Sequence, residues 1–111
     1  MLPPRERFNP DLLDPAEPFE IDSVNRPHLY SHAQLSEDDL WDVWLSDWRL
    51  FPARNGGEAD WLLVARVPGG DCLCAPLAPA KSGDFRKCRP IGLYRASVIL
   101  ATMYDNAIHE G

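Results

Sequence analysis

The sequence predicts an α+β fold, a small antiparallel β-sheet of about four strands packed with three helices. Two strand-like runs flank the turn Pro68-Gly69-Gly70, a helix start stands at Ser36 with three acidic residues behind it, and an apolar run of helical length follows Ser97. With 111 residues and 45% hydrophobic content, the chain has room for one domain with a single core.

Pro3, Pro4, Pro10, Pro15 and Pro18 remove backbone donors and disfavour helix at the residues before them. Residues 1–18 are therefore expected to form an extended or disordered tail, and residues 19–111 the domain. Phe19 to Ile21 is a short strand candidate. Asn25 can cap a first helix, with Arg26 and Pro27 in its first turn and its end near His32. For the second helix, Ser36 is the N-cap, Glu37, Asp38 and Asp39 set negative charge on the positive end of the dipole, and Leu35 can staple onto Leu40. Leu40, Trp41, Trp44, Leu45 and Trp48 share one face at helical spacing, which makes that face core or interface.

Trp61 to Val67 and Asp71 to Leu77 are expected to pair as an antiparallel hairpin. A loop through Ser82-Gly83-Asp84 leads to a third run, Arg86 to Tyr94, in which Pro90 lacks a ladder donor and so implies an edge or a bulge. Ser97 can cap a last helix through about Ala107. Val98, Ile99, Leu100, Ala101, Met103 and Tyr104 leave this helix almost no polar face, so it is either buried or docked on a partner.

Net charge is −6, but residues 1–60 hold 13 acids and 5 bases and residues 61–111 hold 4 acids and 6 bases, giving −8 and +2. A polyanion would be attracted only to the patch of Arg66, Lys81, Arg86, Lys87, Arg89 and Arg95, which argues against a strong non-specific nucleic-acid binder. No apolar run reaches membrane-spanning length, and Pro3, Pro4 and Arg5 interrupt any signal-peptide core, so the expected location is the cytoplasm and no membrane partner. Cys72, Cys74 and Cys88 are odd in number, and the first two are too close in an extended strand to bond each other easily; reduced thiols are expected. His28 and His32 share a helix face and Cys72 and Cys74 a strand face, so a zinc site is conceivable. With no Cys-x-x-Cys and the pairs far apart in sequence, no metal is expected, and without a glycine-rich phosphate loop no cofactor.

The order strand, helix, acidic helix, three antiparallel strands, helix joins particular residues at its junctions. These are Phe19-Glu20-Ile21-Asp22 at the opening, His32 at the end of the first helix, Leu35-Ser36-Glu37-Asp38 at the next, Trp61 to Arg66 as a strand ending in Arg, the Gly69-Gly70 turn, and Arg89-Pro90-Ile91 in the last run. From Phe19 to about Tyr104 this pattern resembles the BrnT family of bacterial toxins, within the RelE-like ribonuclease superfamily. The resemblance implies a type II toxin-antitoxin component, a metal-independent endoribonuclease that arrests growth and is neutralised by a cognate antitoxin.

Cleaving RNA by attack of the 2′-hydroxyl needs a base, cationic donors for the charge building on phosphate, and an acid for the leaving oxygen. Arg66 and Arg89, expected on neighbouring strands and matching family positions, are the first choices for phosphate, because the guanidinium fork fits its oxygens. His32 can serve as acid or base, or simply cap its helix. Asp60 or Glu58 can act as base or orient an arginine, and Lys81, Arg86, Lys87 and Arg95 are the substrate-binding candidates or plain solvated charges. Ile21, Ser31, Ala33 and Tyr94 stand where the family carries Trp, Lys, Gly and Arg, and the last helix is apolar where the family's is basic. Those positions define an alternative: a catalytically degenerate RelE-like domain that works as a protein-interaction module through the tryptophan helix or the last helix. A homodimer is compatible with both.

Overall fold

In the computed structural model, residues 9–29, 35–53 and 57–110 are described. A 3₁₀ turn at Pro10–Leu12 precedes α1 (Asn25–Leu29), α2 (Glu37–Leu45), β1 (Arg49–Pro52), β2 (Trp61–Arg66), β3 (Cys72–Pro79), β4 (Cys88–Pro90), β5 (Tyr94–Arg95) and α3 (Val98–Glu110). The strands form one antiparallel sheet in the order β1-β2-β3-β4, with β5 also paired to β3, so the fold is α+β as predicted.

The expected hairpin is present. β2 and β3 pair from Trp61↔Leu77 to Arg66↔Cys72, and Val67 N–H closes the turn onto the Asp71 carbonyl at 3.0 Å. Gly69 and Gly70 both have positive φ, 104° and 98°, which is why two glycines follow Pro68. β2 and β3 are buried along nearly their whole length, which requires a layer over each face of the sheet.

The third run splits, and Pro76 explains where. Ala96 N–H reaches the Cys72 carbonyl and Ile91 N–H the Pro76 carbonyl, so the even-numbered residues of β3 face β4 and β5. Pro76 has no N–H to offer on that side, and the chain breaks from the ladder at Ile91 to Leu93 between β4 and β5. Gly92 packs there, with Pro76 Cδ 3.6 Å from where a Cβ would stand. The expected opening strand shortens to one parallel bridge, Phe19↔Cys88, bonded through Cys88 N–H to Pro18 O and Glu20 N–H to Cys88 O.

α2 begins as expected: the Asp39 carboxylate accepts from Ser36 N–H at 2.8 Å and from its hydroxyl at 3.1 Å, and Leu35 and Leu40 are both buried. It ends earlier than the tryptophan spacing implies. Ser46 turns extended, its hydroxyl donates to the Asp42 carbonyl, and the chain enters β1, a strand the sequence reading did not foresee. Leu45, expected on the apolar face, is 78% exposed. Trp48 nevertheless stacks on Trp44 with centroids 5.1 Å apart, and Phe19 meets Trp41 and Trp44 edge-on.

Residues 9–18 run over the domain, with Leu13 buried and the Trp44 indole N–H donating to the Pro15 carbonyl at 2.9 Å. Residues 1–8, and the expected end of the first helix at His32, lie outside the described residues. Among the described residues, no helix is long and apolar enough to cross a membrane.

Candidate functional site

Arg89 projects from β4, and its side chain is only 5% exposed. Its Nη1 lies 3.0 Å from Glu20 Oε1 and 3.0 Å from Asp22 Oδ2, and Nη2 lies 3.1 Å from Asp22 Oδ1. Both carboxylates are already engaged. Glu20 accepts from the N–H groups of Lys81 and Ser82, and Asp22 Oδ1 accepts from those of Val24 and Asn25. Asn25 completes the network by donating to the carbonyls of Glu20 and Pro90. Burial alone would push Glu20 up, but its hydrogen bonds to Lys81, Ser82 and Arg89 outweigh that and lower it. Arg89, then the Asn25 and Val24 amides, hold Asp22 well below the usual carboxylate range. This arrangement fastens the Phe19–Asp22 opening to β4; the fork that would grip a phosphate is filled by carboxylates.

Arg66 ends β2 at the opposite end of the sheet. It forks onto Asp105 of α3, Nε to Oδ1 at 2.8 Å and Nη2 to Oδ2 at 2.7 Å, while Nη1 donates to the Gly70 carbonyl. That bidentate contact raises Arg66 further and lowers Asp105, with the charge of His109 one turn on adding to the second effect. Arg66 is paired with Cys72 and Arg89 with Ala78, so the two arginines flank β3 from β2 and β4, six residues or about 20 Å apart along it. They are not on adjacent strands, and they do not converge on one phosphate.

The remaining cations divide between these two ends. Arg95, 3.8 Å from Asp71, joins Arg66 in lining a cleft of about 240 Å³ beside the first turn of α3. Lys81 begins the Glu20-binding turn at the Arg89 end, Arg86 lies 3.6 Å from Asp84, and Lys87 contacts Glu17. Asp60 is buried just before β2, and Glu58 is exposed. His32 lies outside the described residues, as do the side-chain surroundings of His28. Among the described residues, no group of three or more His, Cys, Asp or Glu could hold a metal ion. The three cysteines are free and buried, with Cys74 pushed up to about 11 and Cys88 to about 12, chiefly by burial.

An apolar groove lies between α3 and the outer sheet. Phe51, Leu62, Tyr94, Ile99, Leu100 and Met103 line a groove of about 370 Å³. Of the apolar residues on α3 only Tyr104 is buried, and its hydroxyl donates to the Asp47 carbonyl; Val98 is 84% and Ile99 75% exposed. The apolar composition of the last helix signalled this groove, whereas its β1 wall could not be read without that strand. Asp105 was missed as the Arg66 partner. Glu20 and Asp22 carried a signal, two acids at strand spacing on one face, that went unused.

Comparison with protein-family models, curated proteins and solved structures finds no match.

Proposed function

We propose that this chain is a catalytically degenerate RelE/BrnT-like domain that acts as a protein-interaction module through the groove beside α3. The observation that carries this reading is the disposition of the arginines. Arg89 is enclosed by two carboxylates, Arg66 is clamped by a third, and about 20 Å of β3 separates them, so these two arginines do not jointly hold the charge of an RNA-cleavage transition state. Meanwhile the α3 face leaves large aliphatic side chains in water, which marks an interaction surface. Buried free thiols fit a cytoplasmic setting. Expressed alone at high soluble level, the chain should leave bacterial growth unchanged and should not cleave total RNA. Growth arrest that Arg66→Ala relieves would overturn the reading.

One observation favours the endoribonuclease toxin of the family resemblance as a second reading. Arg66 and Arg95 share one cleft at the positive end of α3, where a phosphate could replace Asp105 or Asp71 as the anionic partner. In that reading RNA binds at the Arg66 end without a metal, a cognate antitoxin covers the cleft, and Arg89 is structural. Arg66→Ala then abolishes growth arrest while leaving the fold intact.

A further inference from the structure

β1 is the outer strand of the sheet, paired on one side only, to β2. Ala53 N–H donates to the Asp60 carbonyl, so the alternation of the ladder turns Arg49 and Phe51 towards β2. The N–H and carbonyl of Leu50 and the carbonyl of Pro52 then point outward. Among the described residues nothing meets these three groups. The row stops at both ends, since Trp48 N–H donates to Ser46, its carbonyl accepts from Arg49, and Pro52 has no donor.

A cavity opens on each face of this edge. On the α3 face lies the apolar groove at Phe51, Leu62 and Met103, and on the α2 face Leu50 and Trp61 share a cavity of about 410 Å³ with Asn9 and Asp11. The Asp11 carboxylate has no partner among the described residues. An extended segment fits both cavities at once, because successive side chains of a strand point to opposite faces. A helix, whose backbone groups are bonded internally, has none to offer Leu50. A second copy would bring its own Asp11 and a net charge of −6 to the same edge, so charge selects a basic segment instead.

We propose that β1 is a docking edge for an extended, basic segment of a partner protein, which adds to the sheet as an antiparallel strand. Its residue opposite Leu50 exchanges two hydrogen bonds with it and is a lysine or arginine, set beside Asp11 and the aromatic wall of Trp61. The preceding residue, opposite Phe51, is a large aliphatic one that enters the groove beside α3, and the one before that donates to the Pro52 carbonyl.

The inference rests on the interaction-module reading and specifies its partner. The probe is a blocked peptide, Thr-Ile-Lys-Thr-Thr, titrated into the isotope-labelled full chain and followed by NMR. It should bind with a Kd of about 1 mM or tighter, shifting the Leu50 amide downfield and slowing its hydrogen exchange. Methylating the lysine's backbone nitrogen removes the donor to the Leu50 carbonyl and should weaken binding about tenfold. Asp11→Lys should weaken it about fivefold, and a peptide with Glu at its centre should recover that loss. No binding at several times that concentration, an unmoved Leu50 amide, or equal binding of the methylated peptide overturns strand addition alone. Growth arrest relieved by Arg66→Ala overturns the module reading whatever the peptide does.

Discussion

Arg89 shows how one side chain can change meaning once its surroundings are known. An exposed arginine on a strand is a phosphate ligand in waiting; one that is 5% exposed between Glu20 and Asp22 is a fastening. Removing it leaves the neighbouring acids without their counter-charge, and Arg89→Ala should cost about 3 kcal/mol in urea unfolding. The same network fixes an acid response. Both carboxylates are lower in the fold than their ordinary values of 4.5 and 3.8, so their contribution is complete above those values and is lost as pH falls. The melting temperature should therefore decline between about pH 5 and pH 2, and Arg89→Ala should flatten that decline. A wild-type melting temperature that stays level across this range would refute the role assigned to Arg89.

At the scale of elements, the short-range signals did the most. The capping box at Ser36, the Gly69-Gly70 turn and the start of the last helix were all legible, because each depends on residues within one turn of one another. Arg49 to Pro52 was not recognised as a strand, since four residues ending in a proline carry no periodicity of their own and β1 exists through its pairing with β2. Pro90 did announce an irregular last strand, although the break is placed by Pro76 across the ladder. Pro52 blunts the free edge of β1, and Pro52→Val returns an outward donor to it. This variant should change stability by no more than about 0.5 kcal/mol while increasing light scattering on heating, because the restored edge can pair between molecules.

Across the whole molecule, the basic second half does not become a basic face. Arg66, Arg86, Lys87, Arg89 and Arg95 are drawn to the two ends of the sheet and matched with acids, three of them from the acidic first half. The cysteines report on the molecule as a unit, since Cys74 and Cys88 are fully buried and Cys72 nearly so. Burial pushes all three thiols up, so little thiolate is present near neutrality. A thiol reagent at about pH 8 should label the native chain slowly and the urea-unfolded chain with three equivalents at once. Rapid native labelling, counted by mass, would mean that the sheet opens far more readily than its burial implies.

By itself the sequence determined the α+β class, the β2–β3 hairpin, the start of α2 and the apolar character of α3, because these follow from composition and from interactions between near neighbours. Only the tertiary structure decided what the arginines do and which apolar surface stays open. Arg66 meets an acid 39 residues away and Arg89 meets acids 69 and 67 residues away, and no local pattern records a contact made at that distance along the chain.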